Sequence, residues 1–263
     1  MPSLVTKQGI VHYEVYGRGR PVILLHGWLG SWALWRETIE ELSKEFRLYA
    51  LDFFGFGDSM DKSSSSFSVN NFVDLVKEFM ERLGIVKAPL IGHSMGGTVS
   101  LGVAVKYPEN VVKVIVIGSP VNGESLNFIL KLSGNPLNAR VIWTFPSLLH
   151  LFLRGYSYLM AKDGKRLGKM ISEDTSKLSM DSFFQSIGTL HRTDLRHQLY
   201  HVQMPILGIY GRHDIIVKPS QGKVLLKAAP NSQEAWFRES GHFPMMDEPD
   251  LFFQTVRDFL NNG

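Results

Sequence analysis

Ser94 lies between two glycines in Gly92-His93-Ser94-Met95-Gly96, a match to G-x-S-x-G, in a chain that has no cysteine. Disulfides, thiolate metal sites and a cysteine nucleophile are thereby excluded, so covalent chemistry rests on serine, histidine, carboxylates or a bound cofactor. A serine hydroxyl attacks an acyl carbon only when a base removes its proton. An imidazole with a near-neutral pKa does this and returns the proton to the leaving group, while a buried carboxylate fixes its tautomer. The chemistry to look for is acyl transfer.

Such a serine needs a support that lifts it clear of the backbone. Ala88-Pro89-Leu90-Ile91, ahead of the motif, reads as a buried strand, and the residues from Thr98 to Tyr107 read as a helix. Ser94 then occupies a sharp strand-to-helix turn with a strained backbone, and Gly92, Gly96 and Gly97 remove side chains that would collide there. The turn also aims the free N–H groups of the helix start at the same space.

The flanks repeat this beat. Alternation from Val11 to Val15 marks a strand, Pro21 to Leu25 a strand buried on both faces, and Ala33 to Leu42 a helix. A strand over Arg47 to Asp52, a helix over Phe72 to Leu83 and a strand over Val111 to Gly118 follow. After a long gap come a strand at Met204 to Gly211, a helix at Gln221 to Ala229, a strand at Glu234 to Phe237 and a helix from Asp247 to Leu260. Strands alternating with amphipathic helices predict an α/β fold with a parallel sheet covered on both faces.

The gap, residues 119–202, is far too long for an ordinary connection and predicts a helical insertion. Val141 to Met160 carries one formal charge, Arg154, and many aromatics. Pro146, His150, Gly155, Ser147 and Ser157 break it into pieces shorter than the ~20 apolar residues a membrane span needs, which favours an apolar cap over a pocket. Ser63 to Ser66 reads as a surface loop.

Composition narrows the function further. At 263 residues, 44% hydrophobic and 20% charged, the chain is an ordinary globular one. Its 28 Lys and Arg against 25 Asp and Glu leave +3, too little to mark a nucleic-acid partner. The N-terminus has no basic segment before an apolar run, and no Asn-x-Ser/Thr acceptor occurs, so a cytoplasmic location is the expectation.

From His26-Gly27-Trp28 to Ser240-Gly241-His242-Phe243-Pro244 the sequence resembles the α/β-hydrolase superfamily, in its serine-nucleophile, carboxylesterase-like branch. The resemblance implies a mostly parallel eight-stranded sheet, with core residues 1–118 and 203–263 and a cap at 119–202. It also implies a triad in the order Ser, acid, His: Ser94, then Asp214 after the strand that follows the cap, then His242 after the last strand. Asp214 in Gly211-Arg212-His213-Asp214 also suits a plain turn. By the same likeness, the N–H groups of Trp28 and Met95 form the oxyanion hole. An aspartate nucleophile, as in the superfamily's dehalogenases and epoxide hydrolases, is ruled out by Ser94.

The expected activity is hydrolysis of small to medium carboxylic esters through an acyl-enzyme, without metal or cofactor. Trp28, Trp143, Phe145, Phe152 and Tyr156 are candidates to wall the pocket. Three other readings rest on the same scaffold. Carbon–carbon cleavage of a vinylogous diketone needs cations for a substrate carboxylate, for which Arg140, Arg154 and Arg192 are candidates; the others are a perhydrolase and a ligand receptor.

The remaining motifs read as architecture. His26 and His93 suit hydrogen bonds to loop carbonyls. Asp52 to Ser59 resembles the family's D-x-x-G-x-G-x-S loop and lacks the third glycine of a dinucleotide fingerprint. His197 and His201, with His191 near, have metal-ligand spacing but fall on the wet face of a short expected helix. Lys162, Lys165, Arg166 and Lys169 read as a solvated surface rather than a site for anionic lipid or an acidic substrate.

Overall fold

The computed structural model describes residues 2–61, 66–135, 137–138, 140 and 144–262. Strands β1 (Ser3–Val5), β2 (Gly9–Tyr16), β3 (Arg20–Leu25), β4 (Phe46–Leu51), β6 (Ala88–His93), β7 (Val111–Ile117), β8 (Ile206–Gly211) and β9 (Ser232–Phe237) form one sheet in the order β1-β2-β4-β3-β6-β7-β8-β9. The two-residue β5 (Met60–Asp61) pairs with β2 beside this path. Only the β1–β2–β4 end and β5 are antiparallel; from β4 through β9 every pairing is parallel.

Period-two burial explains the layering. In β3, Ile23 and Leu25 join the apolar cluster on one face of the sheet, while Val22 and Leu24 join the cluster on the other. The first face is covered by α2 (Val69–Arg82) and α3 (Met95–Lys106), which bury Phe72, Phe79 and Val99. The second is covered by α1 (Arg36–Leu42) and a C-terminal helix that buries Phe252 and Val256. Each such side chain contributes about 1.5–3 kcal/mol by leaving water.

The expected helix at Ala33 to Leu42 is a short 3-10 turn, Trp32–Trp35, running into α1; Ser31 caps its start. Between β7 and β8 run α4 (Phe128–Ser133), α5 (Pro146–Met160), α6 (Gly164–Thr175) and α7 (Met180–Arg192). Helices α8 (Gln221–Ala228), α9 (Pro244–Asp247) and α10 (Pro249–Asn261) complete the chain. The C-terminal helix expected from Asp247 starts at Pro249, which begins α10 without an N–H to continue α9, and the short α9 before it was not expected. The helix expected around His197 is a turn and a 3-10 segment, Leu199–His201.

The chain passes from β3 to β4 on one side and later to β6 on the other, so the strand order reverses between them. A crevice opens outside the carboxyl ends of the strands at such a point. Trp28, Ser94, Gly118, Asp214 and His242 all follow the carboxyl end of a strand, namely β3, β6, β7, β8 and β9. Most of the serine run lies outside the described residues.

Candidate active site

Ser94 has φ 51° and ψ −118°, a left-handed backbone that a residue with a Cβ adopts only at a cost of about 1–3 kcal/mol. Neighbouring elements hold it there. Its N–H donates to Ile117 O at 2.8 Å, tying the turn to the end of β7. A Cβ on Gly92 would strike the backbone of Gly96, and one on Gly96 would strike the carbonyls of Leu25 and His26. Strand, helix and neighbouring loop therefore close on one another only with glycine at both places.

The Asp214 carboxylate is anchored through Oδ1 by the N–H groups of Ile216 (2.8 Å) and Val217 (2.9 Å). Its Oδ2 accepts from His242 Nδ1 at 2.8 Å, with both side chains buried. A proton on Nδ1 leaves Nε2 with a lone pair, the form a general base requires. Gly118, at φ +54°, forms the floor of the pair: a Cβ there would lie 3.1 Å from His242 Nδ1 and 3.3 Å from Asp214 Oδ2. His242 N–H donates to Met160 O at 3.1 Å, so α5 of the insertion reaches the histidine loop.

Two further histidines shape the surroundings. His26 Nε2 accepts from Phe53 N–H at 3.0 Å, so Nδ1 carries the proton and donates to Gly27 O at 2.8 Å. Burial lowers its pKa. His93 Nε2 donates to His242 O at 2.9 Å, and its ring lies 4.7 Å from that of His242. Burial, then the neighbouring His242, holds His93 well below the ordinary imidazole pKa. Both are buried, neutral supports.

Trp28 sits in the loop after β3, and a Cβ on the adjacent Gly27 would lie 3.1 Å from Ser94 Cβ. Met95 opens α3, so its N–H is one of the donors without a partner inside the helix.

Ser94 and His242 line one cavity of about 390 Å³, together with Trp28, Phe145, Phe152 and Tyr156. Trp143 lies outside the described residues. The rest of the wall is largely aliphatic, including Leu149, Leu153, Leu167, Ile171 and Ile187. No Lys, Arg, Asp or Glu lines it among the described residues. Ile129, Phe145 and Phe152 are both lining and exposed, which puts the mouth between α4 and the start of α5.

Other sequence candidates fall elsewhere. Arg140, Arg154 and Arg192 are exposed and outside the lining. His197 and His201 are exposed, and His191 Nε2 lies 3.0 Å from Glu124. Arg166 pairs with Glu37, and Lys169 approaches Glu173 at 3.8 Å, while Lys162 and Lys165 are exposed. Asp52 accepts from Trp32 N–H (2.6 Å), Asp58 N–H (3.0 Å) and His12 Nδ1 (2.8 Å), so its carboxylate fastens the loop to which sequence assigned an architectural part. Asp247 escaped the sequence reading. Its carboxylate accepts from Lys162 N–H (2.7 Å) and Gly241 N–H (2.8 Å), joining the insertion to the histidine loop. Among the described residues, no helix is long and apolar enough to cross a membrane.

The family model for the alpha/beta hydrolase fold matches residues 20–249. The chain belongs to the α/β-hydrolase family. This hydrolase is 29% identical over 260 residues to the pimeloyl-[acyl-carrier protein] methyl ester esterase of Vibrio campbellii, covering 95% of this chain and 98% of that protein. Its fold matches a thermophilic esterase from Thermogutta terrifontis with a TM-score of 0.85 at 22% identity, over 99% of this chain and 98% of the other. A meta-cleavage product hydrolase from Pseudomonas fluorescens matches with a TM-score of 0.82 at 24% identity, over 99% and 97% of the two chains. At such identities these two solved structures speak for the fold.

Proposed function

We propose that this hydrolase is a serine esterase that cleaves small to medium carboxylic esters with an apolar chain through an acyl-enzyme. The observation that carries the proposal is the pairing of Asp214 with His242 on the wall that also presents Ser94, in a cavity with no charged Lys, Arg, Asp or Glu in its described lining. In this reading Ser94 Oγ attacks the ester carbonyl while His242 Nε2 takes its proton and hands it to the departing alcohol. Water then attacks the acyl-serine by the same route. Asp214 holds the imidazole in its Nδ1–H form and stabilises the imidazolium. The tetrahedral oxyanion accepts from the N–H groups of Trp28 and Met95, each donor contributing about 3 kcal/mol to the transition state.

Residues 119–202 act as the cap, and 1–118 with 203–263 as the core. The name of the Vibrio campbellii relative supports a methyl or other small alkyl ester of an acyl chain as the substrate type. Cleavage of a vinylogous diketone fits less well, because the described wall lacks a cation to hold the carboxylate of such a substrate.

A fluorophosphonate should label the protein stoichiometrically, and Ser94→Ala should abolish labelling. An unlabelled wild type overturns the proposal. A series of para-nitrophenyl esters of rising chain length, run beside a dienoate substrate, separates ester from carbon–carbon cleavage.

A further inference from the structure

Among the described residues, the apolar wall of the cavity contains two hydroxyls that ester cleavage itself does not use, those of Ser133 and Tyr156. Besides Ser94, His93 and His242, the described lining side chains with hydrogen-bonding groups include Trp28, Ser133 and Tyr156. Trp28 Nε1–H is committed to Phe183 O at 3.0 Å, and the Ser133 hydroxyl to Ile129 O at 3.0 Å. Tyr156 is engaged differently. Its oxygen accepts from Asn127 Nδ2 at 2.8 Å. Asn127 is held in one orientation: Nδ2 also donates to Ile215 O at 2.9 Å, and Oδ1 accepts from Leu130 N–H at 3.0 Å.

Because the amide is the donor, the phenol proton is left for another acceptor, and accepting one bond polarises the O–H and makes it a better donor. The phenol stays protonated, since burial raises its pKa above the ordinary tyrosine value. Asn127 ties the group to Ile215, the neighbour of Asp214, so the donor sits at the Asp214 end of the cavity. A few fixed donors in an otherwise apolar pocket are what orient a ligand there.

We propose that Tyr156 is a specificity-determining donor that binds a second, uncharged oxygen of the substrate. The preferred esters then carry a carbonyl, ether or further ester oxygen in the apolar chain, away from the bond that breaks. A charged group is disfavoured, because the described wall offers no counter-ion for it. The inference rests on the esterase reading.

The test compares para-nitrophenyl heptanoate with its keto analogues, the carbonyl moved stepwise along the chain, on wild type and Tyr156→Phe. One keto ester should exceed heptanoate in wild-type kcat/KM by about fivefold, the effect of one hydrogen bond. Tyr156→Phe should bring the ratio of keto ester to heptanoate in kcat/KM down to about one, since the hydroxyl that reads the second oxygen is lost. Stoichiometric fluorophosphonate labelling of Ser94 in the variant reports on the integrity of the site. If no keto position is preferred, or the preference survives in Tyr156→Phe, the proposal is overturned. Failure of the esterase reading looks different: neither ester is cleaved and Ser94 takes no fluorophosphonate.

Discussion

His242 Nδ1 lies 2.8 Å from Asp214 Oδ2, both side chains being almost wholly withdrawn from water. The carboxylate thereby selects the imidazole tautomer whose Nε2 is unprotonated. Asp214→Asn keeps an oxygen for the Ile216 and Val217 N–H groups, so the loop should hold, but an amide nitrogen facing Nδ1 reverses the tautomer. On a para-nitrophenyl ester kcat should fall by about 10⁴, with an unchanged circular dichroism spectrum. A loss below about tenfold would mean that His242 works without this partner.

Gly27 packs its backbone against Ser94: a Cβ would meet His93 Nδ1 at 2.9 Å and Ser94 Cβ at 3.1 Å. Gly27→Val should therefore push the loop that carries the Trp28 N–H away from the oxyanion position. The expected loss is about 10²–10³ in kcat, the cost of one oxyanion donor, with KM changed far less. Equal activity in the variant would remove Trp28 from the oxyanion hole.

His93 touches His242, yet its pKa is lowered well below the ordinary value by burial and by that neighbour. It stays neutral and adds no second proton to the site, so log kcat/KM should fall on the acid side with a slope of about one rather than two. The stability effect has a definite sign. A histidine whose folded pKa is depressed contributes stability above its unfolded value of roughly 6.5, and that contribution fades as pH falls. Urea titrations should show His93→Gln flattening the loss of stability between about pH 6 and pH 4.

Asp174 ends α6 under the loop after β3, buried, with Ser31 as its hydrogen-bond partner and Oδ2 without one among the described residues. Burial pushes its pKa up to about 7, opposed by the Ser31 hydrogen bond and reinforced by Asp52. A carboxyl with a raised folded pKa stabilises the fold while protonated, and loses that contribution as pH climbs from its unfolded value towards 7. Asp174→Asn should raise stability at pH 8 by about 2 kcal/mol and change little at pH 4. A variant less stable than wild type at pH 8 would show that the ionised carboxylate is well served where it lies.

Much of the architecture was legible because it is a matter of local pattern. Runs such as Val111 to Ile117 are buried on both faces and read as parallel strands from composition alone. Gly92 and Gly96 around Ser94 announced a close approach, and the backbone at Ser94 has the strain that approach requires. Element ends were less legible. Pro249 parts α9 from α10, and the segment after Thr193 turns rather than forming a helix, because capping and tertiary hydrogen bonds settle boundaries that periodicity leaves loose.

What sequence determined by itself was the set of candidate side chains and the strand ends that carry them, since residue type and period follow directly from the order of amino acids. The tertiary structure alone decided their mutual distances, the tautomers of His26 and His93, the absence of Arg140, Arg154 and Arg192 from the described cavity wall, and the unforeseen bridges made by Asp247 and Asn127. Those contacts join residues far apart in the chain, from Lys162 to Asp247 and from Asn127 to Ile215. No local pattern encodes them. They exist only once the sheet has brought the carboxyl ends of β3, β6, β8 and β9 together and the insertion has closed over them.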